Sequence, residues 1–262
     1  MENRKQKEIL EEIQEFFSDL NRPGEDHSTE LEKNDYVSAL KNKIPETEKT
    51  RIDENFTTSE ILKAIGDLAL QKSPGSDGLP PEFYKQFKNI ISEDLTELYN
   101  NLENQQELPD SMREGIIKCI YKKGEREDIR NWRPISLLNY DYKIYTKVLT
   151  NRISKALQNT IGPEQTAGVQ NRTIIENLQL NREIIAYTSI NDIKGAMISL
   201  DQEKAFDMVN WNVLFKTLKQ RMFFFSNYYR IQLLYKNTYS RVKVNGKMSG
   251  KISLKRGVRQ GC

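Results

Sequence analysis

The chain has 262 residues, of which 37% are hydrophobic and 29% charged, and its formal net charge is +3. Ile, Leu, Phe and Tyr are plentiful enough to exclude a disordered chain. Two cysteines and one histidine exclude a disulfide framework and a Cys/His zinc cluster. No apolar run is as long as a membrane span and no signal-peptide core is visible, so we expect an intracellular protein of the cytoplasm or nucleus, away from membranes.

The small net charge conceals a gradient along the sequence. Residues 1–60 contain 9 basic and 16 acidic side chains, whereas residues 201–262 contain 13 basic and 3 acidic ones. A strongly basic C-terminal quarter predicts a partner with a phosphate backbone, bound in a salt-sensitive manner. The alternative is a solvated basic face that binds nothing.

Helical spacing of apolar residues recurs from the N-terminus onwards. Residues 21–35 are predicted to be a polar linker, Thr57 or Thr58 a helix cap, and the Pro/Gly-rich residues 72–78 a tight loop. The predicted helices cover residues 3–20, 36–43, 58–70, 81–90, 92–104, 140–158, 173–187, 211–222 and 226–236.

Strand signals are fewer. Residues 115–121 and 132–138 are predicted to be extended, the second because Arg133 precedes Pro134. Residues 196–200 are apolar and predict a buried strand that ends at Asp201. Residues 239–245 alternate in polarity, and Asn245-Gly246 predicts a hairpin with residues 250–255 as the return strand.

Asp201 is the first candidate site residue. A carboxylate at the end of an apolar strand would be held rigidly at the edge of a sheet, where it can bind Mg²⁺ together with substrate phosphates. Two-metal phosphoryl transfer also needs carboxylates from other elements. From this residue alone, a structural role as the cap of the following helix is the favoured reading.

The segment from Met197 to Asp207 resembles motif A of reverse transcriptases, in the form found in LINE-type (non-LTR) retrotransposons. The resemblance implies that Asp201 is a catalytic Mg²⁺ ligand. It also implies that Phe206 is the bulky residue that packs against the sugar and excludes ribonucleotides. Asp207 has no metal role by this resemblance and is interpreted as structural or capping.

Four further regions resemble the same family, and they follow one another in the family's order. Lys72–Leu79 is similar to the N-terminal extension motif, which implies template contacts by Lys72, Gly75, Asp77 and Gly78. Ile120–Gly124 and Asn131–Leu138 resemble the fingers hairpin, motifs 1 and 2, which implies that Lys122 and Arg133 hold the incoming triphosphate. Ile161–Arg172 is similar to the segment before motif A. Arg256–Cys262 looks like the opening of motif B, which implies that Gln260 and Gly261 line the nucleotide.

The resemblance implies an α+β fold with right-hand polymerase architecture. We expect an acidic helical linker region at 1–56, the N-terminal extension of the reverse transcriptase at 57–112, and fingers with an incomplete palm at 113–262, without a thumb.

The implied activity is RNA-directed DNA synthesis, in which a DNA primer is extended from deoxynucleoside triphosphates on an RNA template by two-metal phosphoryl transfer. Motif C, which carries the other metal carboxylate in the family, is missing from these 262 residues. We therefore expect no primer extension by this chain alone. Two alternatives stay open: a non-catalytic nucleic-acid-binding remnant, and a domesticated protein scaffold that uses the acidic N-terminal helix.

Overall fold

The computed structural model describes residues 2–23, 30–40, 44–158, 160–222 and 225–260. Helices surround a small sheet, a mixed architecture that agrees with the α+β prediction. The helices are α1 (Glu2–Leu20), α2 (Glu30–Ser38), α3 (Glu46–Asp53), α4 (Thr58–Gly66), α5 (Pro81–Gln86), α6 (Lys88–Gln105), α7 (Asp110–Arg113), α8 (Tyr140–Leu157), α9 (Ile174–Ile190), α10 (Trp211–Met222) and α11 (Phe225–Leu233). The strands are β1 (Glu114–Tyr121), β2 (Trp132–Leu137), β3 (Tyr239–Val244), β4 (Lys247–Met248) and β5 (Ile252–Ser253).

The sheet has the strand order β2-β1-β3-β4, and β5 pairs with β3 as well. β1 and β2 form an antiparallel hairpin, whereas β1 and β3 run parallel, with Ile116 beside Arg241. The Asn245-Gly246 turn is confirmed: both residues have positive φ, 49° and 81°, which suits a tight two-residue hairpin. The return strand is broken into β4 and β5, which pair with opposite ends of β3.

The larger core lies among the helices. Its centre is aromatic, because Phe56 packs edge-on against Tyr99 and Tyr145. Two buried guanidinium groups also face the Phe56 ring, that of Arg152 at 4.7 Å and that of Arg230 at 4.6 Å from its centroid. Thr57, one of the two predicted caps, caps α4, and the structure shows that it forms a capping box with Glu60.

The Arg152 guanidinium is held by a network. It donates two hydrogen bonds of 2.7 Å to the two carboxylate oxygens of Glu60. It also donates to three backbone carbonyls, those of Ile52, Glu54 and Asn55. The Arg230 side chain, 1% exposed, pairs with Glu103 and donates to the Glu54 carbonyl. Each guanidinium group is paired with a carboxylate and donates hydrogen bonds to backbone carbonyls. These interactions offset the free-energy cost of burying its positive charge.

A second core lies between α1 and the sheet. Phe17, which is fully buried, packs against Ile117 of β1, Val242 of β3 and Ile252 of β5. Backbone contacts fix the end of α1, since Lys255 N–H donates to the Asn21 carbonyl and the Arg256 side chain to the Leu20 carbonyl. The apolar stripe predicted for residues 3–20 is therefore the face that covers the sheet.

The predicted buried strand at 196–200 is wrong. These residues form neither helix nor strand in the structure, and Ile198 and Leu200 are 78% and 90% exposed. No strand of the described ranges pairs with the segment, and an unpaired strand cannot satisfy its backbone groups. The preceding helix α9 also buries none of its residues. Asp201 is consequently not held at a sheet edge.

Several helix boundaries also differ from the prediction. α2 begins at Glu30, inside the predicted linker, and residues 41–43 of the predicted helix 36–43 lie outside the described residues, as do linker residues 24–29. The predicted break between 81–90 and 92–104 falls instead at Phe87. Within the described ranges, no helix is both long and apolar enough to cross a membrane.

Candidate functional site

A cleft of about 690 Å³ lies between the β1–β2 hairpin, the segment after Leu200 and the end of α1. It brings together residues from distant parts of the sequence to which the family resemblance gives a role. These lining residues are Lys122, Arg133, Asp201, Phe206 and Gln260. Gly261, the remaining residue assigned to the nucleotide, lies outside the described residues.

The cationic side of the cleft is built on the turn between β1 and β2. Lys122 N–H donates to the Asn131 carbonyl at 2.9 Å, and the Asn131 amide donates to the Glu125 carbonyl, so the turn is closed by its own hydrogen bonds. Tyr121 contributes as well, because its hydroxyl donates to the Gly124 carbonyl at 2.6 Å. The register places Arg133 opposite Ile120, two residues before Lys122. One rigid hairpin therefore carries both cations.

The acidic side is the segment 201–208, of which residues 203–208 fold as consecutive turns. Lys204 has a φ of 50°, and its carbonyl accepts from the N–H groups of Asp207 and Met208. Asp201 is exposed and Phe206 is 63% exposed, so both present their side chains at the surface of the cleft. The Lys204 ammonium lies 5.4 Å from the ring centroid of Phe16 on α1. This contact joins the segment to the N-terminal helix.

Residues 256–260 lock that segment in place. Val258 N–H donates to the Phe206 carbonyl at 2.9 Å, and Gly257 N–H donates to the Val209 carbonyl at 2.8 Å. The Trp211 indole donates to the Gly257 carbonyl at 2.8 Å. Gly257 has a φ of 78°, and a Cβ there would lie 2.8 Å from the Asp207 carbonyl oxygen. Only glycine fits this approach without a shift of the backbone.

Gln260 ties the same segment to the hairpin. Its amide donates to both carboxylate oxygens of Asp207, and its backbone carbonyl accepts from Ser136 N–H of β2 at 2.8 Å. Burial raises the pKa of Asp207, although the Gln260 amide and the charges of Lys204 and Arg256 oppose the rise. The structure thus gives Asp207 a structural role, as the sequence indicated, and engages the Gln260 side chain with it.

The described residues contain no group of three or more His, Cys, Asp or Glu side chains that could hold a metal ion. The acids that line the cleft are Asp201, Glu203 and Asp207, and all three come from one segment. Mg²⁺ commonly takes one or two carboxylates and completes its shell with substrate phosphates and water. Asp201 can therefore hold Mg²⁺ only as a partner of a bound phosphate.

The four residues expected to contact the template lie outside this cleft. Gly75 is pressed against Asn139, whose amide oxygen and backbone would overlap with a Cβ at that position. Asp77 accepts from Leu79 N–H at 3.0 Å, and burial raises the pKa of its carboxyl. Gly78 has a φ of 74° and closes the loop. Lys72 is exposed and lines a second groove, behind the hairpin.

One wall of the cleft was not predicted from the sequence. Phe16, Phe17 and Leu20 of α1 line it together with the motif residues. Their helical spacing predicted a buried face, but spacing alone carries no information about which surface the helix covers.

Comparison with known proteins gives several similarities. The family model described as reverse transcriptase (RNA-dependent DNA polymerase) matches residues 120–262. The chain is 35% identical over 219 residues to the "Transposon TX1 uncharacterized 149 kDa protein" of Xenopus laevis, which covers 84% of the chain and 17% of that protein. It is 28% identical over 165 residues to the "Probable RNA-directed DNA polymerase from transposon BS" of Drosophila melanogaster, covering 62% of the chain and 18% of that protein.

A third relative is the "Retrovirus-related Pol polyprotein from type-1 retrotransposable element R2" of Nasonia vitripennis. The two are 26% identical over 188 residues, which is 71% of the chain and 18% of the polyprotein. The chain thus spans less than a fifth of the length of these curated relatives.

Proposed function

Since the chain belongs to the reverse transcriptase (RNA-dependent DNA polymerase) family, in the form carried by non-LTR retrotransposons, we propose that its cleft binds the incoming deoxynucleoside triphosphate for RNA-directed DNA synthesis. The observation that supports this most directly is the convergence of two cations and a carboxylate. Lys122 and Arg133 come from one hairpin and Asp201 from a segment about 70 residues later, and all three line the same cleft.

Each residue has a distinct part in the proposal. Arg133 can donate two parallel hydrogen bonds to a phosphate, whereas Lys122 supplies a point charge. Phe206 lines the cleft and is exposed, and in this proposal it meets the sugar and opposes a 2′-hydroxyl. Mg²⁺, when bound between Asp201 and the phosphates, would neutralise their negative charge. The RNA template, the DNA primer and template contacts by Lys72, Gly75, Asp77 and Gly78 belong to the same proposal.

Binding of dTTP with Mg²⁺, followed by calorimetry, tests this function. Arg133→Gln is expected to weaken binding about tenfold, the loss of one charge-assisted phosphate contact. Arg130→Gln is the matched control, because Arg130 lines the same cleft but is already paired with Asp128 at 2.9 Å. An equal loss of dTTP affinity in the two variants would contradict the proposal, and so would the absence of dTTP binding by the unmodified chain.

A second candidate function is nucleic-acid binding without catalysis. It is favoured by one observation: among the described residues, the acids of the cleft come from a single segment, whereas two-metal transfer needs carboxylates from more than one element. We expect the 262-residue chain to bind nucleotide but not to extend a DNA primer on an RNA template with Mg²⁺. Template-dependent extension that Asp201→Asn abolishes would refute this and establish a complete polymerase site.

A further inference from the structure

We propose that Phe16 of α1 is a positioning residue for the nucleotide cleft, and that it acts through Lys204 on the orientation of Phe206. α1 ends 100 residues before residue 120, where the match to the reverse transcriptase family model begins. The last turns of α1 nevertheless form a wall of the cleft. The inference rests on the proposed function, because it names what sets the sugar preference of the same site.

Lys204 has the backbone conformation on which the turns at residues 203–208 depend. Its φ is 50°, in the left-handed region that residues other than glycine rarely adopt, so the conformation needs support from neighbouring groups. The Lys204 carbonyl accepts hydrogen bonds from the N–H groups of Asp207 and Met208. A change in the position of Lys204 therefore moves the turn that carries Phe206.

The Phe16 ring supplies part of that support. The Lys204 ammonium lies 5.4 Å from the ring centroid, within the range of a cation–π contact. Glu203 lies 3.9 Å from the same ammonium, but its side chain is 88% exposed, and such an ion pair contributes little. Phe16 is itself held in place, since it packs edge-on against Phe17, which is buried against the sheet. The contact therefore connects Lys204 to the sheet.

The C-terminal end of α1 holds the same segment from a second side. α1 has no basic residue in its own last turn, where the free carbonyl groups and the helix dipole favour a cation. Arg256 supplies this cation and donates to the Leu20 carbonyl at 2.7 Å. Two residues later, Val258 N–H donates to the Phe206 carbonyl at 2.9 Å. α1 therefore supports the backbone at Phe206 as well as at Lys204.

This arrangement gives Phe16 an effect on one property of the cleft, the preference between deoxyribose and ribose. Lys122 and Arg133, which bind the phosphates in the proposed function, lie on the β1–β2 hairpin and not on the segment that Phe16 holds. Loss of the Phe16 ring should therefore leave triphosphate binding intact and relax the position of Phe206. ATP should then bind more tightly, whereas the affinity for dATP should change little.

Calorimetry with dATP and with ATP, each in the presence of Mg²⁺, measures this preference in the 262-residue chain. The variant is Phe16→Leu, which removes the ring face but keeps an apolar side chain over the sheet. We expect it to narrow the preference for dATP about threefold, the effect of losing one partly exposed cation–π contact. Phe16→Tyr should restore the preference. Ile13→Ala is the matched control, because Ile13 packs against the same core but does not line the cleft.

A parallel loss of dATP and ATP affinity in Phe16→Leu would show that the ring has only a general structural role, and it would overturn the proposal. The proposal would also be overturned if Phe16→Tyr behaved like Phe16→Leu, or if Ile13→Ala narrowed the preference to the same extent.

A second measurement needs no nucleotide. Trypsin cleaves after lysine, and the rate of cleavage after Lys204, followed by mass spectrometry, reports how firmly residues 203–208 are held. We expect Phe16→Leu to speed this cleavage about threefold and to leave cleavage after the exposed Lys194 unchanged. Equal acceleration at both lysines would indicate general destabilisation, and an unchanged rate at Lys204 would show that Phe16 does not hold it. Either result would overturn the proposal.

The two measurements distinguish failure of this inference from failure of the proposed function. If the unmodified chain binds neither dATP nor ATP, the proposed function fails, while faster cleavage after Lys204 alone in Phe16→Leu still supports the positioning role. If the unmodified chain prefers dATP and Phe16→Leu keeps the same preference, the proposed function stands and the inference fails.

Discussion

The side-chain amide of Gln260 lies 3.2 and 3.1 Å from the two carboxylate oxygens of Asp207 and donates to both. This contact joins the two segments that resemble motifs A and B. Since the Gln260 carbonyl also accepts from Ser136, the same residue connects the segment to the β1–β2 hairpin. The position of Phe206, next to Asp207, therefore depends on an interaction that is internal to the protein.

Asp207→Asn tests the cost of burying this carboxylate. In the folded protein the pKa of Asp207 is raised above 3.8, chiefly by burial, so folding is opposed wherever the group is charged. We expect the variant to be at least as stable as the original chain near pH 7. Its advantage should shrink as pH falls through the raised pKa and should vanish below 3.8, where both folded and unfolded chains are protonated.

Urea unfolding at several pH values provides the measurement for Asp207→Asn. Asp192→Asn, in an exposed turn, serves as the control for the exchange of a carboxylate for an amide. A stability difference between Asp207→Asn and the original chain that stays constant from pH 7 to pH 3 would show that burial of the charge is not its cause.

Gly257→Ala should destabilise the chain by about 2–4 kcal/mol, since it combines a left-handed backbone with a clash against the Asp207 carbonyl. Gly246→Ala is the matched control. Gly246 has nearly the same φ, 81°, but nothing lies within 4 Å of the added Cβ. That variant should lose only about 1–2 kcal/mol. If urea unfolding shows that both variants lose the same free energy of unfolding, the close approach of Gly257 to the Asp207 carbonyl does not contribute to the destabilisation.

Arg152→Met is expected to cost about 3–5 kcal/mol, because it removes the positive partner of the Glu60 carboxylate and the donor of the Ile52 and Asn55 carbonyls. The double variant Arg152→Met/Glu60→Gln should lose less than the sum of the single variants, with a coupling of about 1–3 kcal/mol. Urea unfolding of all four chains measures it. Strict additivity would argue that the pair is not coupled.

Phe206→Val should narrow the preference for dATP over ATP by about tenfold in nucleotide-binding measurements with Mg²⁺. The reason is that the smaller side chain leaves room for the 2′-hydroxyl. Phe206→Tyr keeps the bulk and should keep the preference. If valine and tyrosine behave alike, Phe206 does not meet the sugar.

Local chemistry predicted the parts of this fold that depend on neighbours in sequence. The Asn245-Gly246 turn is one, since its backbone demands residues that accept positive φ. The extended β2 is another, since Pro134 restrains Arg133. The helix cap at Thr57, one of two candidates, is a third, since threonine is a common N-cap residue.

Features that depend on residues distant in the sequence could not be predicted from local sequence patterns. The apolar run at 196–200 predicted a strand, but a strand requires a neighbour, and apolar content does not supply one. The contact of Arg152 with Glu60 joins positions 92 residues apart. The motif residues of the cleft were selected by resemblance, whereas the wall that Phe16 adds depends on where α1 docks.

The parallel pairing of β1 with β3 has a consequence for the order in which the chain acquires its structure. Ile116 and Arg241 are neighbours in the sheet but about 125 residues apart in sequence. During synthesis, the β1–β2 hairpin can close long before β3 leaves the ribosome, so one edge of β1 stays unpaired for that interval. About 100 residues separate the end of β2 from the start of β3, so at about 5–20 residues per second the interval lasts roughly 5–20 s. An unpaired strand edge exposed for that long is a site for chaperone binding or aggregation, and the sheet is expected to form last.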